Sequence, residues 1–367
     1  MAAGPRGWDR GGMTRTARAA LAASAALAVS GVASGLLIGE HSGPAGGLEW
    51  ILRTLVVLSA AVALGAGFGL VLRLRRLRPR ALGWTATVAA AAAFGVLVAI
   101  PVGYAVYLTH LPVRRAVHDA DLGAPKRPVT LTTAGGVKLR GWYVPSRNGA
   151  AVALIHGTGS NRLGVAGHAR LLARHGYGVL LFDLHGHGES GGRSLSVGWD
   201  AGDDVAAATR YLAARPEVDD ARVGVLGVSL GGEAAIEALP DLPGVRAAVL
   251  EGVQGGSVSD MRTGEADPVT LASVALMSSV ARVLSGSGSH GTRTELMARI
   301  APRPVLLLSS GRGAEAKVNE AMLRHGGDGA ELWNLPEASH AAALRTDPAG
   351  YERRVVGFLD RALARKR

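Results

Sequence analysis

Ser229 stands in Gly227-Val228-Ser229-Leu230-Gly231, between the apolar run 223–228 and the helix formers 234–238. An apolar run of that length reads as a short buried strand, and residues 234–238 continue as a helix. Gly227 and Gly231 let the backbone turn sharply between the two, so that Ser229 carries its hydroxyl exposed at the top of a sheet. The same turn aims the Leu230 amide at a developing oxyanion. Serine is a poor nucleophile at neutral pH unless a base takes its proton and an acid orients that base. The chemistry expected is acyl transfer through a covalent serine intermediate.

Eleven histidines are available, and His340 in Pro336-Glu337-Ala338-Ser339-His340 follows the last apolar strand. That places it in a loop at the carboxyl edge of a sheet, where a base can reach Ser229. With chain order serine, acid, histidine, the acid lies between 229 and 340. The loop 309–315 follows the penultimate strand and carries one carboxylate, Glu315, which is the favoured acid. Glu251, at the end of the preceding strand, is the alternative. Asp328 precedes the last strand and belongs at the opposite end. The competing role for Glu315 is to cap a helix that begins there.

A second oxyanion donor is expected in His156-Gly157-Thr158-Gly159, with the Thr158 amide best placed. Gly157 and Gly159 allow the close approach this requires. His156 and Asp183 also end strands, in Gly-rich turns, and read as residues that shape loops by hydrogen bonding. His185 and His187 read the same way. The chain has no cysteine, which excludes disulfides, thiol catalysis and Cys-based metal sites. No histidine pair has helical spacing with a carboxylate in a metal-site pattern, so no metal is expected.

These groups need a sheet with level strand ends. Residues 129–133 and 137–144 read as a β-hairpin. Apolar strands at 151–155, 178–182, 223–228, 247–250, 304–308 and 330–335 alternate with helices at 163–174, 200–214 and 351–364. That rhythm indicates an α/β fold, a mostly parallel sheet covered by helices on both faces, with active groups at the carboxyl ends of the strands. Residues 254–299 interrupt it, with a helix at 270–283 and the loop Gly286-Ser287-Gly288-Ser289, and are expected to form a lid.

The net charge of +11 over 367 residues is unevenly placed. Residues 1–117 hold twelve arginines against three acidic residues, while the remaining 28 basic and 26 acidic residues nearly balance. A nucleic-acid partner for the globular part is therefore not expected. The N-terminal third contains apolar stretches at 19–39, 54–72 and 81–108, each read as a membrane span. The first also suits a signal peptide or anchor, and the third is longer than one span needs. Trp50, Trp84, Tyr104 and Tyr107 lie near the ends of these stretches, as interfacial aromatics do. Arginine-rich segments before the first stretch and at 73–80 put the N-terminus and second loop in the cytoplasm, and the catalytic domain outside. The expected organisation is a multi-pass cell-membrane region, 1–117, followed by a catalytic domain, 118–367.

His156-Gly157, Asp183 with Gly186-His187-Gly188-Glu189-Ser190, the turn at Ser229 and His340 together resemble the α/β-hydrolase superfamily over roughly residues 125–365. The chain is most similar to its serine peptidase-like, dienelactone-hydrolase-like and carboxylesterase branches. The resemblance implies a cofactor-free hydrolase of esters, amides or peptides, acting on a small-molecule, lipid or short-peptide acyl substrate. In the family the acid loop usually has Gly followed three residues later by Asp; here that position is Ala314, and Glu315 is one further on. The resemblance does not extend to the N-terminal spans. Two other functions fit the sequence: an acyltransferase using the same residues, and a catalytically silent module anchored in the membrane.

Overall fold

The computed structural model describes residues 98–192 and 199–365. They belong to a compact unit running from Val96 to Arg367. The expected spans 19–39 and 54–72, and 81–97 of the third, lie outside the described residues. Among the described residues one helix, Pro268–Ser285, is long and apolar enough to cross a bilayer.

Eight strands form one sheet: β1 (Arg127–Thr132), β2 (Lys138–Val144), β3 (Ala151–Ile155), β4 (Gly178–Phe182), β5 (Val223–Val228), β6 (Val245–Glu251), β7 (Val305–Ser309) and β8 (Ala330–Asn334). Their spatial order is β1-β2-β4-β3-β5-β6-β7-β8. The β1–β2 and β2–β4 pairs are antiparallel, and every other pair is parallel. All residues of β3, β4, β5 and β7 are buried, as both-sided helical cover requires, whereas β8 at the edge is partly exposed.

The helices are α1 (Ile100–His110), α2 (Ala166–Arg174), α3 (Gly202–Ala213), α4 (Leu230–Ala238), α5 (Val258–Thr263), α6 (Pro268–Ser285), α7 (Arg293–Ile300) and α8 (Gly313–His325). Val205, Ala208 and Leu212 of α3 form the buried stripe their spacing suggests. With residues of α4, α7 and α8 they cover one face of the sheet. The other face is covered by α2 and by the C-terminal turns Pro348–Tyr351, Glu352–Val356 and Gly357–Ala362.

Two local features differ from the sequence reading. The helix expected from 163 begins as a 3-10 turn, Arg162–Val165, because the Asn161 side chain accepts from the Leu163 amide and sets that entry. The 254–299 stretch holds three helices, not one. Capping boxes at Ser257/Asp260 and Thr292/Glu295 start α5 and α7. The end of the third apolar stretch is α1, which packs along α6 with Ala105 and Leu108 buried.

Register decides where the site forms. Ile155 pairs with Gly227 and Val228 with Glu251, so β3, β5 and β6 end level. Ser309 pairs with Asn334 in the same direction. The loops opening at His156, Ser229, Gly252, Ser310 and Leu335 therefore share one edge. The chain order reverses between β3 and β5, and that reversal opens a crevice at this edge.

Candidate active site

Ser229 occupies the single residue between β5 and α4, with φ 55° and ψ −119°. A side chain in that region carries strain of about 1–3 kcal/mol, which the surrounding contacts must hold. The Ser229 amide donates to the Glu251 carbonyl at 2.7 Å, and the Ser229 carbonyl accepts from the Gly232 amide at 2.8 Å. The flanking glycines are sterically required. A Cβ on Gly227 would lie 2.3 Å from the Gly231 carbonyl oxygen, and one on Gly231 would lie 2.2 Å from that of Ile155.

His340 lies in the loop after β8, and its Nε2 is 2.9 Å from Ser229 Oγ. Its Nδ1 is 2.7 Å from Glu315 Oε2. The other carboxylate oxygen, Oε1, accepts from the Ser310 amide at 2.7 Å. Glu315 is thus in the first turn of α8, and it serves the loop backbone and the imidazole at once. Gly311 and Gly313, at φ 66° and 54°, supply the turns that bring the helix start close. The carboxylate partner puts the imidazole proton on Nδ1 and leaves the Nε2 lone pair facing the serine hydroxyl.

Electrostatics follow from these contacts. The hydrogen bond to Glu315 raises the His340 pKa above its ordinary value, against the opposing effect of burial. Burial alone would raise the Glu315 pKa, but the bonds from His340 and the Ser310 amide outweigh it and hold it low. Burial raises the pKa of Glu233, in the first turn of α4, even with Arg293 only 3.5 Å away.

The structure does not bring Glu251 to the imidazole as a hydrogen-bond partner. Its Oε1 accepts from the Ala343 amide at 2.9 Å, and its Oε2 is 3.6 Å from His168 Nε2. Glu251 therefore holds the His340 loop from beneath, while its own carbonyl holds the Ser229 amide.

Leu230 opens α4, where an amide has no intrahelical partner and is free to face the reacting oxygen. A Cβ on Gly157 would lie 3.3 Å from Ser229 Cβ, so the Gly157-Thr158 loop runs directly beside the serine. His156 anchors that loop: Nδ1 lies 2.9 Å from the Gly157 carbonyl, and Nε2 accepts from the Leu184 amide at 3.1 Å. Burial, with His187 adjacent, lowers its pKa to about 4, so it is a neutral hydrogen-bonding strut. Asp183 is fully buried and accepts from the Arg162 amide, the Arg162 guanidinium and the Glu189 amide. It ties the β3 and β4 loops together. His185 pairs with Asp204 at 2.8 Å.

Gln254 was not singled out by the sequence, yet its amide nitrogen lies 3.4 Å from His340 Nδ1. No spacing rule marks it; only the β6 turn brings it there. Arg293 is a second such residue. It is fully buried, donates to Glu237 at 2.8 Å and reaches the Gln254 carbonyl at 3.2 Å. A cleft of about 280 Å³ beside Glu315 is lined by Gln254, Met261, Ser310 and Arg312. Among the described residues, no group of His, Asp and Glu side chains is arranged to hold a metal ion.

The serine aminopeptidase S33 family profile matches residues 146–295, which include Ser229 but neither Glu315 nor His340. An uncharacterized protein of Mycobacterium tuberculosis is 36% identical over 133 residues, covering 35% of this chain and 47% of its own. YfhR of Escherichia coli K12, also uncharacterized, is 30% identical over 132 residues, covering 34% and 45%. The chain thus spans about half the length of these curated relatives. Among solved structures, a Pyrococcus furiosus esterase has 25% identity and a TM-score of 0.58, covering 70% of this chain and 99% of its own.

Proposed function

The chain has an α/β-hydrolase fold with a serine-hydrolase-like domain, and we propose that it is a membrane-anchored serine hydrolase that cleaves an ester, amide or peptide bond. The observation that carries this reading is the continuous line from Ser229 Oγ to His340 Nε2 at 2.9 Å and from His340 Nδ1 to Glu315 at 2.7 Å. Both distances suit proton transfer in the ground state.

In this mechanism His340 takes the Ser229 proton as Oγ attacks the acyl carbonyl. The Leu230 and Thr158 amides hold the oxyanion. Collapse breaks the bond to the leaving alcohol or amine, which receives the proton from His340. Water, deprotonated by the same imidazole, then releases the acid and restores Ser229. The apolar N-terminal stretches anchor the domain, and the arginine distribution favours a position outside the cytoplasm. Residues 254–299 act as a lid over the strand ends. No metal or cofactor takes part in the steps proposed.

The test is labelling of intact cells with a membrane-impermeant fluorophosphonate, comparing the parent with Ser229→Ala. Labelling of the parent that vanishes in the variant is the expected result. Labelling only after lysis keeps the hydrolase and overturns the orientation. A Ser229→Ala protein that turns over ester as the parent does overturns the mechanism.

A further inference from the structure

The helix α6 is anomalous for a surface helix of a water-soluble domain. Its eighteen residues include one charged side chain, Arg282, and only Ser278 and Ala281 are buried. Val269 is 50% and Val283 71% exposed. The exposed Val269, Ala272 and Val283, the half-buried Leu276, and Ser279, whose hydroxyl donates back to the Ala275 carbonyl at 2.7 Å, recur at three- and four-residue steps and form one mostly apolar stripe. A largely exposed, mostly apolar stripe of this kind marks an interaction site.

What covers it is indicated by where the chain comes from. No charged residue occurs between Arg80 and Arg114. A bilayer core needs about 20 helical residues. The apolar stretch 81–108 exceeds that, and its surplus end is α1, which packs along α6. In the N-terminal half of α1, Ile100 is 64% and Tyr104 47% exposed. The domain also grips the far end of α1. The Val113 amide donates to the Gly186 carbonyl at 2.8 Å, and the Gly188 amide donates to the Val113 carbonyl at 2.9 Å. These two bonds hold the chain that leaves α1 against the loop after β4.

The pair also borders the site. A Cβ on Gly159 would lie 3.6 Å from the Tyr107 hydroxyl, so α1 reaches the loop that runs beside Ser229. We infer that the α1–α6 pair lies in the outer part of a phospholipid leaflet and delivers to Ser229 an acyl ester of a lipid drawn from that bilayer. This substrate class rests on the serine-hydrolase reading above. The chemistry is unchanged: the acyl carbon–oxygen bond of the lipid breaks, its alcohol leaves with the proton, and water frees the fatty acid.

Because the chain has no cysteine, single labels can be placed at will. Val283→Cys and, at the opposite end of the sheet, Asp220→Cys are labelled with an environment-sensitive nitrobenzoxadiazole dye, in the full chain reconstituted into phosphatidylcholine vesicles. The expected result is blue-shifted emission at position 283, quenched by doxyl-bearing phospholipid, with solvent-like emission at 220. Solvent-like emission at both overturns the inference. So does a blue shift at 283 that lipid-borne doxyl leaves unquenched, since a second copy or an upstream segment then covers α6. In the same vesicles, Val269→Asp with Val283→Asp lowers hydrolysis of an embedded diacylglycerol about tenfold, the factor given by ~1.4 kcal/mol of lost insertion. Fluorophosphonate labelling of the parent reports the hydrolase reading separately. A protein that labels at Ser229 but fails the quenching test loses only the lipid inference.

Discussion

Replacing Glu315 by Gln removes a negative charge and almost no volume. The carboxylate accepts two hydrogen bonds, from the Ser310 amide and from His340 Nδ1, each at 2.7 Å. A side-chain amide has only one oxygen to offer. If that oxygen keeps the backbone amide, the NH2 group faces Nδ1 and drives the ring proton to Nε2, where it points at Ser229 Oγ. Losing a hydrogen bond to a charged acceptor costs about 1.5–3 kcal/mol. The imidazolium formed in the transition state also loses a counter-charge worth up to ~4 kcal/mol at an intermediate dielectric. A combined loss of about 4–6 kcal/mol lowers kcat roughly 10³–10⁴-fold. The pH profile carries an independent sign. Glu315 raises the His340 pKa, and activity needs the neutral ring, so kcat/KM rises with pH through that raised value. Without the charge, the imidazolium is less stable and the acid limb shifts to lower pH. The assay is ester hydrolysis by the purified full chain from about pH 5 to 9, with a melting curve to show that the variant is folded. A folded variant with more than about a tenth of parental kcat and an unmoved acid limb would refute the role given to Glu315.

Three further perturbations probe the supports of the site. Gly231→Ala forces a Cβ to within 2.2 Å of a backbone oxygen that cannot yield; we expect about 2–3 kcal/mol of destabilisation by denaturant titration and loss of fluorophosphonate labelling. Glu251→Ala strands the Ala343 amide beneath the His340 loop; kcat falls about tenfold with KM little changed, whereas Glu251→Gln, which keeps an acceptor, stays near parental. A loss for Glu251→Gln as large as that for Glu315→Gln would make Glu251 the acid instead. Arg293→Met leaves the buried Glu237 carboxylate without its 2.8 Å partner; unfolding free energy falls about 3–5 kcal/mol, and the double replacement Arg293→Met/Glu237→Met recovers much of it.

The sequence by itself determined the elements whose signals are local. The runs at 151–155, 178–182 and 223–228 coincide with β3, β4 and β5, because strands buried on both faces must be apolar throughout. The turn at Ser229 was legible because only glycine fits where another backbone comes this close. His340 and Glu315 were candidates because chain order and strand ends limit where a base and an acid can stand. The capping box that starts α7, Thr292 with Glu295, is also a local signal.

Only the tertiary structure decided what depends on distant partners. Two carboxylates lay near the serine, Glu251 at the end of β6 and Glu315 in the first turn of α8, and side-chain direction separated them: Glu315 turned to the imidazole, Glu251 to the Ala343 amide. Family spacing placed the acid one residue earlier, at Ala314. The tight turns at Gly311 and Gly313 start α8 early enough for Glu315 to reach both the Ser310 amide and the ring. Gln254 and Arg293 carried no periodic signal, since their positions follow from how the 254–299 segment folds back over α4. The pairing of α1 with α6 was likewise invisible, because apolar composition specifies that a surface will be covered but not by what. Local propensity and steric necessity are written in neighbouring residues; geometry among residues a hundred positions apart is fixed only when the sheet closes.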